Sequence, residues 1–484
     1  MRRTLVGLIA LCMVGSLAFA AGTGEQAAEE QMTLRILAHP WNFDPMDDPL
    51  LPVMEEVGGY DLEYVMVPQG DAGRQKFLLE IASGNRWDIL YTYQDVLQQL
   101  ARQGGLVDLT DLIEEHGPNI ITAYDADPRY IGTTTIDGRI YGIPIIRNTE
   151  VVNQGIIYRK DLMDQAGFEE PETLIEFTQA LQTVQDQTDM IPLTGQGFNY
   201  HPIRASFNLT GWQVLDGEVT PDLFMPRFED WLEYMTTLYE AGLIDAEAPS
   251  NTRDIKREKF ISGRAFFMDM QWWDWQMLQA VRDNMPEAEW DYIVGLEDER
   301  GEWAVTKGTG ISRVVAVPRT AASPEDSIKF LNAHASVEGF RKVFIGDEGV
   351  HWEWDGNRRT PIIENSTVER RNAWWYVIQT PIEEMVELQN LAIESEHPDT
   401  WEVFLAFQDG RPRGRYNPLD FLTTGPVQTE YARTLNQLQN DFTTRVITGQ
   451  EDLSALADFR EEWLDAGGRE MLEEIQENYE ASQN

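Results

Sequence analysis

Asp137–Thr173 reads DGRIYGIPIIRNTEVVNQGIIYRKDLMDQAGFEEPET. Arg139–Ile146 is a short apolar run containing Gly142 and Pro144, which predicts a strand or an edge segment. Val151–Tyr158 is a second run, rich in β-branched residues, and predicts another strand. Arg159–Ala166 then turns helical, and Gly167 stands where a C-cap is expected. Pro171 and Thr173 open the next helix. Taken alone, the pattern is an ordinary strand–strand–helix passage of an α/β domain.

Upstream, Met32–Ala38 predicts a strand that ends in a loop carrying Trp41, Asn42 and Phe43. Leu50–Val57 reads as a helix, Asp61–Val67 as a strand, and Gly73–Ala82 as a helix with Phe77, Leu78 and Ile81 inward. Ala82-Ser83-Gly84 precedes Asp88 and a strand at Ile89–Tyr91, which exits into Thr92, Tyr93 and Gln94. A helix at Asp95–Gln103 and the phrase Leu106-Val107-Asp108-Leu109-Thr110-Asp111-Leu112 follow. Downstream, a helix at Thr173–Gln185 and a strand at Ile191–Thr194 lead to an aromatic-rich loop, Gly195–Pro202. Phe228–Gly242 is an amphipathic helix that ends in Gly-Leu-Ile-Asp. Phe260–Met268 reads as helix end, glycine turn and strand, delivering Gln271-Trp272-Trp273-Asp274-Trp275. Gly308–Val317 predicts a returning strand, Ala322–Phe344 a helix, and Phe421–Tyr479 is mainly helical. The β–α alternation predicts mostly parallel sheets.

The chain has 484 residues, enough for two or three domains, and its 42% hydrophobic content is that of a globular protein. Met1–Ala20 has the form of a secretory signal: Arg2 and Arg3, an apolar stretch Leu5–Leu17, and Ala18-Phe19-Ala20 as a cleavage site. Cys12, the one cysteine, lies inside that stretch without the small residue that a lipoprotein signal places before its cysteine. Cleavage after Ala20 would leave no cysteine, hence no disulfide, thiolate zinc site or cysteine nucleophile. Ala21–Gln31 suits a flexible leader. The net charge of -44 argues against nucleic acid or anionic membrane as a partner and is spread along the chain, as solubility in saline surroundings would have it. No G-x-S-x-G, H-E-x-x-H or Walker-type loop occurs. Asp44, Asp47 and Asp48 have a spacing that could hold Ca²⁺, but the EF-hand order and its glycine are absent, so no metal and no cofactor is expected.

Asp-Gly-x-x-Tyr-Gly-x-Pro, then Tyr-Arg-Lys-Asp-Leu-Met-x-x-x-Gly, then Pro-x-Thr resembles the lobe crossover of family 1 extracellular solute-binding proteins, the carbohydrate-binding receptors of ABC importers. The phrases at Ala82–Ile89, Leu106–Leu112, Gly242–Asp245 and Phe260–Ala265 match that family in order, and Arg445–Gly449 and Gly467–Met471 resemble the ending of its longer, mainly Gram-positive and spirochaetal branch. The resemblance implies an α/β, two-lobed, periplasmic-binding-protein-like fold of type II. Each lobe would be a mostly parallel sheet flanked by helices, with a helical C-terminal extension. The expected division is 32–150 with 313–350 in lobe 1, and 151–312 with 351–484 in lobe 2. It also implies a monomer exported across the inner membrane, periplasmic or held at the cell surface, that works with membrane permease subunits.

Flat aromatic rings stack on the C–H faces of sugars, while amides, arginines and carboxylates satisfy the hydroxyls. Loops after strands face the crevice in such sheets, which nominates Trp41, Asn42, Tyr93, Tyr200, His201, Trp212 and Trp352. Trp273 and Trp275 match the family segment that often supplies a stacking aromatic, whereas Trp272 is expected to point to the opposite face. Arg147 and Asn148 flank the crossover and could hydrogen-bond a ligand, with a hinge-stabilising salt bridge the equal alternative for Arg147. Trp231, Trp401 and Trp463 lie in helical patterns and read as core. The implied function is capture of a sugar, expected to be an oligosaccharide, with no catalytic residue. A secreted polysaccharide-degrading enzyme and a receptor for peptides or quaternary amines are the rival readings.

Overall fold

A computed structural model describes residues 32–376, except 42, 126 and 147–150, together with 391, 394 and 398–483. The signal and leader segments and the crossover residues Arg147 and Asn148 lie outside the described residues, as does Asn42. No helix among the described residues is long and apolar enough to cross a membrane.

Two separate sheets form the two lobes. The lobe 1 sheet has the order Asp61–Met66, Thr33–Ala38, Ile89–Thr92, Ile311–Ala316, Ile143–Ile146. The lobe 2 sheet has the order Trp290–Ile293, Gln154–Arg159, Ala265–Gln271, Ile191–Thr194. In each sheet all strands but one run the same way. The exceptions are Ile311–Ala316, antiparallel to both neighbours, and Gln154–Arg159, likewise. Both are the first strand the chain forms in a sheet after crossing from the other lobe.

Strand periodicity sorts the core. Leu34, Ile36 and Ala38 point into one hydrophobic cluster while Leu37 points into another on the opposite face. In lobe 2, Ile156 and Tyr158 join one cluster and Ile157 the other. Both faces are covered, so the strands read as continuous apolar runs. The helices carry the expected signals. Gly167 adopts a left-handed conformation, φ 75°, at the end of Lys160–Ala166. Thr173 caps Leu174–Gln187 through a reciprocal bond pair with Glu176, and Phe177, Ala180, Leu181 and Val184 form its buried stripe. Gly142 is dictated by space: a Cβ there would lie 2.3 Å from Leu97 and 2.8 Å from the Val315 carbonyl oxygen.

The crossovers are tied into a small ribbon. Val151–Val152 pairs with Val305–Gly308, which pairs in turn with Gly414–Arg415. The expected single strand Gly308–Val317 is therefore two: a hinge strand ending at Gly308 and a lobe 1 strand beginning at Ile311.

Residues 351–376 pack otherwise than the expected division has them. Ala373 and Tyr376 are buried in the lobe 1 core. Tyr91 donates from its hydroxyl to the Tyr376 carbonyl oxygen (3.2 Å), and Asn372 donates to Asp48 (2.5 Å). The helix Pro398–Gln408 then bridges, with Phe404 in the lobe 1 cluster and Val403 and Phe407 in a lobe 2 cluster. The C-terminal helices Pro426–Ile447, Leu456–Trp463 and Arg469–Ser482 close over lobe 2, where Phe442 stacks on Phe459 at 4.0 Å.

Candidate functional site

Lobe 1 presents an aromatic platform at the carboxyl ends of its strands. His39 follows Thr33–Ala38 and Tyr93 follows Ile89–Thr92; their rings lie 6.1 Å apart. His39 also meets Trp41 at 6.0 Å and Trp375 at 5.7 Å. Trp41 is the floor. It stacks on Phe43 (5.4 Å), meets Tyr376 edge-on (4.9 Å), and is only 5% exposed. This corrects its assignment as a ligand-facing ring: the loop folds back over the sheet and covers it with other rings. Phe43, Tyr93 and Trp375 keep part of their surface open. Burial pushes the hydroxyls of Tyr64, Tyr91 and Tyr376 above the usual phenol range.

Lobe 2 answers with a turn. The strand Ala265–Gln271 stops at Gln271, and Trp272–Asp274 forms a single 3-10 turn rather than continuing the strand. The fully buried Asp274 enforces it. One carboxylate oxygen accepts from the Gln271 backbone N–H (3.1 Å), and the other accepts from Arg253 Nε (3.0 Å) and from Arg257. Trp273 is left 40% exposed. Trp272 packs edge-on against Phe404 at 5.4 Å and donates from Nε1 to Asn153 (3.1 Å), beside the first crossover. Trp401 stacks on Phe404 at 5.8 Å and is partly open, although its helical spacing reads as core. Trp275 departs from expectation. The turn packs it against the cluster of Met268, Met277 and Leu278 and leaves it half-buried, so Trp273 is the more open of the expected pair.

The remaining expected residues are scattered. Tyr200 is 1% exposed in the lobe 2 core, which corrects the reading of its loop as open: the chain enters the helix His201–Ser206 there and turns Tyr200 inward. His201 is half-buried; burial, with Arg204 adding to it, pushes its pKa down to about 3 and keeps it neutral. Trp212 packs against the lobe 2 core at the mouth of a hairpin. Trp352 lies on a lobe 1 hairpin, with Nε1 donating to the Gly346 carbonyl oxygen (3.1 Å) and Trp354 edge-on at 5.5 Å. Asp44 and Asp48 spend carboxylate oxygens on the N–H groups of Met46 (3.0 Å) and Leu50 (2.8 Å), the usual work of turn aspartates.

Sequence reasoning passed over Arg74 and Arg313. Their guanidinium carbons stand 4.4 and 4.7 Å from the centre of the Tyr93 ring. Arg74 also donates to Asp95 (2.8 Å). No local pattern marks this meeting, since the three residues come from a helix, a strand exit and the return strand. Two lysines firm the lobe 2 side. Lys256, 1% exposed, binds the Asp269 carbonyl oxygen (2.9 Å) and carboxylate, and Lys259 binds Asp245 (2.7 Å), Glu247 (2.8 Å) and Asn251 (3.0 Å). A cavity of about 800 Å³ lies between the lobes beside Arg129, Tyr416, Phe421 and Tyr479, and another of about 610 Å³ beside Phe207, Trp303 and Arg413; neither is lined by the expected site residues.

Two sheets joined by a thin ribbon, each with aromatic rings at strand ends, have the architecture of a hinged two-lobed protein. Known proteins share this architecture. The polygalacturonan/rhamnogalacturonan-binding protein YtcQ of Bacillus subtilis (strain 168) is 23% identical, across 99% of this chain and 98% of its own length. The alginate-binding protein AlgQ2, solved without calcium, superposes with a TM-score of 0.72 at 17% identity, over 93% of this chain and 98% of that one. FusA of S. pneumoniae, an ABC-transporter substrate-binding protein solved with kestose, gives 0.72 at 18%, over 93% and 99%. At these identities the two solved structures establish the two-lobed fold. Residues 53–350, more than half of the chain, match the family described as bacterial extracellular solute-binding protein, and the chain belongs to that family.

Proposed function

We propose that this protein is an extracytoplasmic receptor that captures an oligosaccharide between its lobes and delivers it to the permease subunits of an ABC importer. The observation that carries the reading is Trp273, a large ring 40% exposed at the end of a lobe 2 strand, on a turn locked by a buried carboxylate. Its ring offers a flat apolar face on which a sugar would stack. The lobe 1 rings Phe43, Tyr93 and Trp375, with Trp401 beside the turn, would complete the stacking surface. Arg147, Asn148 and Asn42 would serve the hydroxyls. The full-length relative YtcQ is named for polygalacturonan and rhamnogalacturonan, and a further relative, FusA, for fructooligosaccharide. The site works by binding alone, as a monomer, with no bond made or broken.

A thermal-shift panel of oligosaccharides, peptides and betaines tests this, because a ligand of the native state raises the melting temperature. At least one oligosaccharide should raise it. A response to peptides or betaines alone, or release of reducing ends from an offered glycan, would overturn the reading.

A further inference from the structure

The cavity of about 610 Å³ is lined by four arginines, Arg227, Arg300, Arg413 and Arg415, against two carboxylates, Asp298 and Glu302. In a chain of 82 acidic and 38 basic residues this local balance reverses the sign of the whole. Asp298 shapes one wall from inside, its side chain 1% exposed. One of its oxygens accepts from the backbone N–H groups of Arg300 (2.8 Å) and Glu302 (2.9 Å), and the other from Arg227 (2.6 Å) and Arg300 Nη2 (3.0 Å). That carboxylate is spent on two of the four cations. Arg413 reaches Glu297 only at 3.8 Å, with both side chains open to water, which makes the pair weak. Arg415 donates to the Asn208 side-chain oxygen (2.8 Å), and among the described residues it forms no ion pair. The guanidinium carbon of Arg413 stands 5.4 Å from the Trp303 ring centre, and that of Arg227 4.9 Å from the Phe207 ring centre. A guanidinium held by its flat face still has donors along its edge. Arg413 and Arg415 flank Gly414, which pairs with Val305 in the ribbon, whereas Arg227 opens the lobe 2 helix Phe228–Glu240. None of Phe43, Tyr93, Trp273 and Trp375 lines this cavity, so it stands apart from the proposed sugar surface.

We propose that this cavity is a second binding site, for a small organic oxyanion of two or more negative charges, held by Arg413 and Arg415 with Arg300 on the same lining. Its volume is that of a small-molecule pocket rather than of a single inorganic ion. Guanidinium groups match carboxylate and phosphate oxygens in planar, two-bond geometry, and a charge-assisted bond of this kind is about twice as strong as a neutral one. A polycarboxylate and a sugar phosphate share that chemistry. The recognition has to be local, because the molecule as a whole repels anions. An occupant would touch the ribbon and the body of lobe 2 together, and so bear on the hinge.

The test is calorimetric titration of the full chain with citrate, with glucose 6-phosphate and with glucose, at one ionic strength set by chloride. At least one of the two anions should bind saturably and roughly tenfold or more tightly than glucose, the worth of a charge-assisted contact. Which anion binds separates a carboxylate from a phosphoester ligand. Arg413→Gln and Arg415→Gln should each lower that affinity several-fold, and the double variant roughly tenfold or more. Both residues are exposed, so the variants should melt like the parent. Arg415→Lys, which keeps a cation without the planar fork, should recover part of the loss. No saturable binding of either anion, equal binding of glucose 6-phosphate and glucose with none of citrate, or an affinity that survives the double substitution overturns the proposal. The oligosaccharide reading is decided separately, by the thermal-shift panel.

Discussion

Trp273 keeps 40% of its surface open, whereas Trp41 and Tyr200 keep 5% and 1%. The three should therefore fail differently. Trp273→Ala should weaken ligand binding by roughly 1–3 kcal/mol, about one to two decades, with little change in a denaturant melt. Trp41→Ala and Tyr200→Ala should instead cost about 3–5 kcal/mol of stability through the cavities they leave. Titration and melts on the same proteins separate the two outcomes. A second residue sets acid sensitivity. His334 is 2% exposed, donates from Nδ1 to the Phe330 carbonyl oxygen (2.8 Å), and is pushed by burial from 6.5 down to about 4. Between those values the folded state holds fewer protons than the unfolded chain, so stability falls as pH is lowered through the window. The full loss is roughly 3 kcal/mol. Melts at pH 7 and at pH 4 should differ less in His334→Gln than in the parent.

At the scale of elements, the turn Trp272–Asp274 ties the exposed Trp273 to the first crossover. Asp274 holds it from inside, and Trp272 joins it to Asn153 twice, by its backbone N–H (3.1 Å) and by its indole N–H (3.1 Å). Asp274→Ala would strand the N–H of Gln271 and release Arg253 and Arg257. A buried pair broken from one side costs about 3 kcal/mol or more, and the freed turn should lower ligand affinity as well. Loss of stability without loss of affinity would show that the turn is scaffold only. The phrases legible in the sequence at this scale were those closed within one turn of chain, such as Thr173 with Glu176 and the stop at Gly167. The fate of Gln271–Trp275 was not among them, because the groups that bend it sit on the helix Arg253–Ile261.

For the molecule as a whole, the ribbon of Val151–Val152, Val305–Gly308 and Gly414–Arg415 is the natural axis for closure. Beside it a strap reaches back to lobe 1. Phe421 meets Tyr130 at 5.4 Å with the Arg129 guanidinium 4.2 Å away, and Thr423 donates to the Thr135 carbonyl oxygen (3.0 Å). Ligand should reduce the radius of gyration in small-angle scattering. Phe421→Ala, which cuts the strap, should enlarge the ligand-free particle and leave the liganded one compact. An unchanged radius at saturation would speak against closure.

The sequence by itself determined the local grammar: strands as short apolar runs, helix caps, the order of lobe-crossover phrases, and from these a two-lobed receptor fold. These signals act between residues a turn or a strand apart, so one chain displays them. Tertiary structure alone decided which rings are open. It buried Trp41 under Phe43 and Trp375, turned Tyr200 inward and split Trp273 from Trp275. It drew residues 351–376 to lobe 1 through Asn372 on Asp48. It also gathered Arg74 and Arg313 on Tyr93. Each of these depends on side chains that meet across long stretches of chain, where burial is set by the partner and not by the residue's own neighbours.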